Sequence, residues 1–371
     1  MKGSKLRCIR PLALALSLLT LAAATNGSLG CKKLGKGNAD AGSDASSSAG
    51  SSAASPATAT PQDDADEQMQ DKIEPYTDCL NALSSSVHET HSRYTSWVDP
   101  RTGPTGRERI ILGVLALPKD AAQDCTKHLT KAKQMPPTDT KLEAAGAEFA
   151  RTVTELDGLI DQVFGYYEAK DYKSDKFAKG KAIHPKLVAA FADFSKADSA
   201  LRATLDALTK PLAARALARI EREEGKSFRF HKRNVMFRAR ELVEAGDPVG
   251  EDDDVDLALY NTQFTAFEKA LTELTAFGAV HKKELDNQSN SAWPHASRNF
   301  DQFSRAADDY LKKSREFLRC LREAPAKAKS PKGKVDLDKL EKLMPCPDGR
   351  RRDVVTKYND LIQVSNTHPF P

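Results

Sequence analysis

The sequence predicts an all-α protein, an elongated antiparallel helical bundle of about six to seven helices with long heptad-like seams, preceded by a disordered tether. Large apolar residues recur at alternating steps of three and four along five stretches, which places each set on one stripe of a helix. No comparable stretch alternates with a period of two, so little or no sheet is expected. The residues before position 67, in contrast, contain no such seam.

Residues 1–30 have the layout of a lipoprotein signal peptide. Four basic residues lead into an apolar run of about 14 residues at 11–24. A membrane-spanning helix needs about 20 apolar residues, so a cleaved signal is favoured over a permanent anchor. The sequence Ser28-Leu29-Gly30-Cys31 then resembles a bacterial lipobox and predicts lipid attachment to Cys31. Secretion after cleavage at Ala22-Ala23-Ala24, and an anchor that stays uncleaved, are the alternatives.

Residues 31–66 are predicted to be a flexible tether. They are mostly Ala, Ser, Gly, Thr, Pro and Asp, and Asn38–Pro61 contains no large apolar side chain. Such a segment cannot bury enough apolar surface to offset the entropy that it would lose on ordering. A coil of this length spans ~30 Å on average, which would hold a folded domain just above a bilayer.

The charge balance argues against a nucleic-acid partner. The chain has 56 basic and 52 acidic residues, a net charge of +4. All four surplus cations lie in residues 1–30, so the mature chain would be neutral. Proteins that bind nucleic acid normally carry a basic surplus. We therefore expect no nucleic acid among the partners, in agreement with export.

Three apolar seams define the helices predicted between residues 67 and 225. Thr90 fills the one gap in the first seam, and Asp198 interrupts the third. Pro185 suits the first turn of the third helix, Pro211 is expected to kink or split it, and Gly225 can cap its end. The seams consist of Ile73, Tyr76, Leu80, Leu83, Val87, Tyr94 and Trp97; of Leu142, Ala145, Phe149, Val153, Leu156, Ile160, Val163 and Tyr167; and of Leu187, Phe191, Phe194, Leu201, Leu205, Leu208 and Leu212.

The second half of the chain continues in the same style. Residues 227–245 are basic and amphipathic, residues 252–254 can cap and charge the next helix start, 324–333 is a loop, and 353–364 is a short last helix. Residues 67–371 are predicted to form one helical domain, and a division near 246–250 is the alternative. The two seams here consist of Tyr260, Phe264, Phe267, Leu271 and Leu274, and of Phe300, Phe303, Ala307, Tyr310, Phe317 and Leu321, broken at Ser314.

Four cysteines remain after the signal peptide and Cys31, and they suit an oxidising compartment. Of the three pairings that four cysteines allow, Cys79–Cys125 and Cys320–Cys346 are favoured because each closes a local loop. The alternative is that they are free buried thiols. The sequence contains no Cys-x-x-Cys, so neither a thioredoxin-like site nor a structural zinc site is indicated.

Sequence motifs indicate no catalytic or metal site. Glu-x-x-His, HExxH and Gly-x-Ser-x-Gly are all absent. Gly225-Lys226-Ser227 copies the end of a P-loop, but Ile220 stands where the first glycine belongs, so Gly225 is interpreted as a helix end. His88 and His91 are interpreted as an exposed or half-buried pair and the acidic run 251–256 as a solvated helix start, rather than as metal ligands. No metal and no cofactor are expected.

The densest cluster of unusual residues lies at the connection between the second and third predicted helices, over 166–185. Aromatic, acidic and basic side chains crowd this connection. One interpretation is a rigid hydrogen-bonded corner that sets the angle between two long helices, and the other is a polar ligand site. The candidate residues are Tyr166, Tyr167, Asp171, Tyr172, Asp175, Lys179 and His184.

Several motifs in combination resemble the YiiG-like bacterial lipoproteins, a family whose domain has no established function. The resemblance covers about 67–366 and implies an envelope lipoprotein with a helical domain, without implying any chemistry. Lys32 follows Cys31, which by analogy favours the outer membrane. The matching elements are Tyr-Tyr-x4-Tyr-Lys-x-Asp at 166–175 with the following Lys-Gly and His-Pro-x-Leu, Arg93-Tyr94, Trp97-Val98, Gly103-Pro104-Thr105-Gly106, Phe191, Phe194, Ile220-Glu221 to Gly225, Tyr358-Asn359 and Leu361-Ile362.

Three functional hypotheses follow for this sequence. The first is a non-enzymatic bundle, attached to the membrane through the lipid on Cys31, that binds an envelope protein or glycan or has a structural role. The second is a receptor for a small ligand or metal built on the corner residues. The third is an envelope hydrolase whose site is assembled across helices, although the sequence indicates no pair of catalytic residues. A soluble secreted or periplasmic protein is the alternative localisation.

Overall fold

The computed structural model describes residues 60–246, 254–287, 293, 295–344 and 346–371. The proposed signal peptide, Cys31 and nearly all of the tether therefore lie outside the described residues. Helices dominate the described part, which confirms the all-α fold class. They are α1 Pro61–Thr95, α2 Ala121–Ala132, α3 Thr140–Glu168, α4 Tyr172–Asp175, α5 Ala178–Glu224, α6 Phe228–Gly246, α7 Leu257–Asn287, α8 Ala296–Glu323, α9 Leu337–Leu343 and α10 Arg351–Thr367, with a 3-10 turn at Ala326–Ala328.

The only sheet in the described ranges is a pair of three-residue antiparallel strands, β1 Asp254–Asp256 and β2 Lys334–Asp336. The expectation of little sheet is thus confirmed. The run Asp252–Asp254 was expected to cap the next helix; Asp252 and Asp253 lie outside the described residues, and the backbone of Asp254 pairs with Asp336 in the strand. The cap is Asp256, whose carboxylate accepts a hydrogen bond of 3.0 Å from the Leu259 N–H.

Helix α1 begins at Pro61, so the predicted end of the tether at residue 66 is corrected by six residues. Thr60 and Asp63 form a capping box, in which each side chain accepts from the other's backbone N–H, and proline occupies the first helical turn. The first turns are also tied to the end of α5. Arg215 contacts Asp66 at 2.8 Å, and Arg222 contacts Asp63 at 3.2 Å.

Helix α5 is continuous over 47 residues, or about 70 Å at 1.5 Å per residue. The expectation that Pro211 splits it is wrong, and Pro185 lies within the helix rather than in its first turn. Buried leucines on both sides of Pro211 stabilise the helix against the lost hydrogen bond, since Leu205 and Leu212 are 0% and 5% exposed. The predicted cap is confirmed, because Gly225 has φ 67° and its N–H donates to the Glu221 carbonyl.

The buried apolar residues form two separate cores. One extends from Ile73 to Leu212 and the other from Phe228 to Phe370. We call residues 60–224, with α1–α5, the N-terminal bundle and residues 228–371, with α6–α10, the C-terminal bundle. Along the sequence, the change from one core to the other falls between Leu212 and Phe228.

The two bundles are joined by a charged contact between α5 and α6. Arg240 of α6 donates to Asp206 at 2.6 Å and to Thr209 at 3.1 Å, and it also pairs with Glu244 on its own helix. Lys210 of α5 reaches the same Glu244 at 2.6 Å. Because Arg240 is half-buried and bound on both sides, it fixes the rotation of α6 against α5.

Each bundle contains one of the two predicted disulfides. Cys79 of α1 is bonded to Cys125 of α2, with Cα atoms 5.0 Å apart, and Cys320 of α8 is bonded to Cys346, with Cα atoms 6.2 Å apart. The predicted pairing is confirmed. Neither bond crosses between the bundles. In the part of the chain that is described, no helix has the length and apolarity required to cross a membrane.

Candidate functional site

The seven residues singled out in the sequence gather at one end of the N-terminal bundle. There the end of α3, the short α4 and the start of α5 meet the loop that follows α1. Contacts with glycines show how closely they pack: a Cβ on Gly180 would lie 2.9 Å from the Tyr167 hydroxyl oxygen, and a Cβ on Gly106 would lie 3.4 Å from the Phe177 ring. We call residues 166–184 together with loop residues 99–113 the corner.

Asp175, the last residue of α4, is bonded to the first turn of α5 within the corner. Its carboxylate accepts one hydrogen bond from the Tyr166 hydroxyl at 2.8 Å and another from the Lys179 N–H at 2.9 Å. Burial alone would raise the pKa of Asp175, but these bonds hold it below its usual value. Burial, followed by the bond to Asp175, raises the pKa of Tyr166 to about 12. The pair therefore stays as a phenol bound to a carboxylate at neutral pH.

A row of aromatic rings extends through the corner from α1 to α5. Trp97 meets Tyr167 edge-on with ring centroids 5.1 Å apart, Tyr167 is 5.9 Å from Tyr172, and Tyr172 is 5.0 Å from Phe177. The Tyr167 hydroxyl is buried without a hydrogen-bond partner among the described residues. Burial raises the pKa of Tyr167 well above its ordinary value. This tyrosine therefore acts chiefly as a large packing group.

His184 fastens the loop after α1 to α5. Its Nδ1 lies 2.9 Å from the Tyr94 hydroxyl and its Nε2 lies 3.2 Å from the Pro100 carbonyl oxygen. A carbonyl can only accept, so Nε2 carries a proton and Nδ1 can accept from the tyrosine. Gly103, with φ +72°, passes so close that a Cβ there would lie 2.8 Å from the imidazole.

The loop continues as an extended segment pinned along α1. The Thr90 hydroxyl bonds to both the N–H and the carbonyl of Leu115, at 2.7 and 2.8 Å. The Arg93 Nε donates to the Leu112 carbonyl at 2.9 Å, and the Trp97 indole donates to the Gly113 carbonyl at 3.0 Å. Two side chains of α1, together with Trp97 just after the helix, thus hold this segment in place. Thr90 was expected only to fill a gap in the seam.

The corner side chains fall into two groups. Tyr166, Tyr167, Asp175 and His184 are engaged in caps, ring contacts and loop fastenings, which supports the interpretation as a rigid corner. Asp171 and Lys179 are exposed to solvent and Tyr172 is half-buried. The hypothesis that these residues hold a small ligand stays a prediction.

A buried polar network between α1 and α5 was missed by sequence reasoning. Asp198 is 4% exposed and accepts from the Arg202 Nε at 2.8 Å, while the His88 Nε2 lies 3.6 Å away. A second guanidinium nitrogen of Arg202 donates to the Ser84 hydroxyl at 2.7 Å. The available signal was the interruption of an apolar seam by a carboxylate.

The chemistry of this network is that of a structural connection. Burial would raise the pKa of Asp198, but His88 and Arg202 hold it below its usual value, so the carboxylate is charged at neutral pH. A nucleophilic serine needs its hydroxyl bonded to a base. The Ser84 hydroxyl accepts from the Arg202 guanidinium and also bonds to the Asp198 carboxylate, but Arg202 and His88 hold the pKa of that carboxylate low, which makes it a weak base.

A buried lysine lies in the C-terminal bundle. Lys232 of α6 is 9% exposed, donates to the Phe370 carbonyl at 3.2 Å, and lies 4.3 Å from the centroid of the Phe370 ring. Burial lowers the pKa of Lys232 to about 8. The contact fastens the end of the described chain to α6.

Two further observations concern possible binding sites among the described residues. A shallow groove of about 400 Å³ lies between α8 and α10, lined in part by Asp309, His368 and the ion pair Lys357–Asp360. No set of three or more His, Cys, Asp or Glu side chains within those ranges is arranged to hold a metal ion.

Comparison with known proteins identifies a family match. Residues 67–367 match the model of a family described as protein of unknown function (DUF3829). Over 185 residues the chain is 26% identical to the Escherichia coli protein YiiG, which is described as uncharacterized. The aligned part is 50% of this chain and 53% of YiiG, so the match spans about half the length of that relative. No solved structure matches the chain.

Proposed function

This chain belongs to the DUF3829 family of proteins of unknown function, and from that premise we propose that it is a lipid-anchored cell-envelope protein with a non-enzymatic binding or structural role. The proposal has three parts, which are export, attachment through a lipid on Cys31, and a rigid end of the N-terminal bundle that meets a partner. Each part is supported by different residues.

The observation that carries the proposal is the use of polar groups at the corner. The hydroxyls, carboxylate and imidazole of Tyr94, Tyr166, Asp175 and His184 are all bonded to each other or to backbone groups. Side chains that are held in this way fix a shape, because none can move without leaving a buried polar group unpaired. Such an end is suited to presenting a surface rather than to proton transfer.

Export is supported by the two disulfides, which are typical of proteins in oxidising compartments. The sequence of residues 1–31 supports a lipoprotein signal peptide with Cys31 as the modified residue. Lys32 after Cys31 supports outer-membrane attachment by analogy with other lipoproteins. A single lipid chain binds membranes only weakly, so stable attachment would need more than one acyl chain on this cysteine.

The position of the tether determines which end of the molecule is free. The chain enters the N-terminal bundle at Thr60, beside the last turns of α5, where Asp63 and Asp66 meet Arg222 and Arg215. The corner lies past the other end of α1, a helix of 35 residues or about 52 Å. An anchored molecule would therefore present the corner away from its point of attachment, available to an envelope protein or glycan.

Fractionation of cells tests the anchor. The Cys31→Ala variant is expected to move from the membrane fraction to the soluble envelope fraction, because it loses the acyl chains. The Cys8→Ala variant is the matched control, since it removes a cysteine that the signal peptide carries away, and it is expected to stay with the membrane. A Cys31→Ala protein that remains in the membrane fraction would overturn the proposal of a lipid anchor.

A further inference from the structure

The corner exposes large apolar side chains on the segment that is pinned along α1. Ile110 is 66% exposed and Leu112 is 39% exposed. Their neighbours hold the segment in place, since the Leu112 carbonyl is bonded to Arg93 and the Gly113 carbonyl to Trp97. Exposed apolar residues on a fixed backbone differ from those on a loose loop, because ordering them on a partner costs little additional entropy.

Exposed cations lie at the same end of the bundle as these two residues. Arg107 and Arg109 precede Ile110 in the sequence, on either side of Glu108, and both are exposed. The loop brings them to the start of α5, because Gly106 packs on Phe177. No ion pair among the described residues engages these two arginines. The exposed lysines of the corner on the same end are Lys170, Lys173, Lys176, Lys179 and Lys181.

The acidic residues of the corner neutralise this charge only in part. Residues 99–112 and 166–181 together contain eight Lys or Arg and five Asp or Glu. Three of the five carboxylates accept backbone N–H bonds inside their own loops: Asp99 from Arg101, Glu108 from Gly106, and Asp175 from Lys179. Asp99, Glu168 and Asp171 are exposed, whereas Glu108 and Asp175 are half-buried.

We propose that the corner docks on an anionic phospholipid bilayer, with Ile110 and Leu112 inserted among the headgroups and the exposed cations of the same end against lipid phosphates. Charge complementarity selects an anionic surface, since each basic residue near such a bilayer contributes favourably to binding. The apolar pair selects a bilayer over an anionic glycan, because it gains by leaving water only where an apolar layer lies beneath the charges.

This inference rests on the proposed function for its biological setting. The lipid on Cys31 would hold the molecule at the Thr60 end of α1, and the corner would touch a membrane surface about 52 Å further along. The docking surface itself consists of residues on the described chain and does not depend on lipidation.

Vesicle binding by the mature chain, residues 31–371 with Cys31→Ala, tests the docking surface without the lipid anchor and without the signal peptide. The chain is expected to cosediment about tenfold more strongly with vesicles of phosphatidylglycerol and phosphatidylcholine in equal parts than with phosphatidylcholine alone. Adding Arg107→Glu with Arg109→Glu is expected to reduce binding to the anionic vesicles by about tenfold. Adding Ile110→Asn is expected to weaken it by about threefold.

The matched control is Lys131→Glu with Lys141→Glu, which reverses two exposed cations at the other end of the bundle. It is expected to leave vesicle binding unchanged, and circular dichroism checks that every variant is folded. An equal loss in this control, equal binding to both vesicles, or an Ile110→Asn variant that binds as before would overturn bilayer docking. The last result would identify an anionic polymer as the partner. None of these outcomes bears on the fractionation of Cys31→Ala, so the two proposals fail separately.

Discussion

The N-terminal and C-terminal bundles bury charged groups in different ways. In the N-terminal bundle Lys72 is fully buried and has a carboxylate partner, Glu143, at 2.7 Å, as well as the Met135 carbonyl at 2.9 Å. In the C-terminal bundle Lys232 lies against a carbonyl and the ring of Phe370. The charge of Lys72 is therefore neutralised by a carboxylate, whereas Lys232 is held by a carbonyl and by packing against an aromatic ring.

The two bundles also differ in how many of their buried polar atoms lack a hydrogen-bond partner. Seven buried side-chain atoms lack a hydrogen-bond partner among the described residues, and six of them belong to the C-terminal bundle. Aromatic pairs fill that bundle instead, such as Tyr260 with Phe317 at 5.2 Å and Phe267 with Tyr310 at 5.1 Å. The six atoms are His231 Nδ1, Gln302 Oε1, Ser304 Oγ, Ser314 Oγ, Asn359 Oδ1 and Ser365 Oγ.

The difference indicates that polar pairs specify the N-terminal bundle and shape complementarity specifies the C-terminal bundle. Changes to single polar groups should therefore cost more stability in the first than in the second. The corner is the extreme case, since its polar groups fasten a loop, a short helix and two long helices to each other.

Each bundle contains one disulfide, and removing a disulfide is expected to reduce stability more than any other change considered. Replacing Cys79 and Cys125 by Ser removes a link across 46 residues and is expected to lower the free energy of unfolding by about 4 kcal/mol. The corresponding change at Cys320 and Cys346, across 26 residues, is expected to cost about 3.5 kcal/mol. Denaturant titration followed by circular dichroism measures both. A loss in one bundle only would show that the contrast between the bundles extends to their covalent links.

Asp198→Asn is expected to destabilise the N-terminal bundle by about 3 kcal/mol, since it leaves Arg202 half-buried without its charge partner. The matched change, Ser365→Ala in the C-terminal bundle, removes a buried hydroxyl that has no partner and should cost within about 0.5 kcal/mol. Thermal unfolding of both variants measures the difference. Equal losses would contradict the contrast between the bundles.

Lowering the pH should protonate the Asp198 carboxylate and remove its contribution to stability. The pKa of Asp198 is lowered from 3.8, so its contribution to stability is complete above that value and is lost as the pH falls through the lower folded value. Below about pH 4 the difference in stability between the native chain and Asp198→Asn should therefore shrink. A difference that stays constant down to pH 2 would show that the carboxylate is not charged in the folded state.

Lys232→Met is expected to stabilise the protein by about 2 kcal/mol at pH 7, because a buried cation that has no charge partner among the described residues is replaced by an apolar group of similar shape. The pKa of Lys232 is about 8 in the folded state against 10.5 when unfolded. Between these values the unfolded chain binds more protons, so the native protein gains stability as the pH rises and approaches the variant. A destabilised variant would indicate that the contact with Phe370 outweighs the cost of burying the charge.

The smallest expected effect is that of Tyr166→Phe at the corner. Removing the hydroxyl deprives Asp175 of one of its two bonds and is expected to cost about 1 kcal/mol. Because the pKa of Asp175 is then less depressed, its carboxyl should titrate at a higher pH in NMR spectra of the variant. An unchanged titration would show that the tyrosine does not support the cap of α5.

The helices could be predicted because their information is local. The 3-4 spacing of residues such as Leu80, Leu83 and Val87 describes one face of one helix, and all three are buried at 0–1% exposure. The disulfide pairs could also be predicted from the sequence, since each closes a short loop. The start of α1 was missed because Thr60 and Asp63, which form its capping box, lie in a stretch that reads as tether by composition.

The two cores and the fastenings of the corner could not be predicted. Every seam has the same periodicity, so nothing in it states which other seam it will face. The Tyr94–His184 contact joins residues 90 positions apart, and only the packing of α1 on α5 brings them together. The interruptions of the seams were the usable signal. Asp198 marks a polar network, and Ser314 is where the Tyr260 hydroxyl reaches a backbone carbonyl.

The central claim is that the corner of the N-terminal bundle, rather than the C-terminal bundle, is the surface that meets the envelope. Crosslinking in intact cells tests it directly, with a photoreactive residue placed in the anchored chain either at Ile110 or at Val280, which are 66% and 75% exposed on the two bundles. We expect phospholipid adducts from position 110 and none above background from position 280. Equal lipid adducts at both positions, or none at position 110, would contradict the claim.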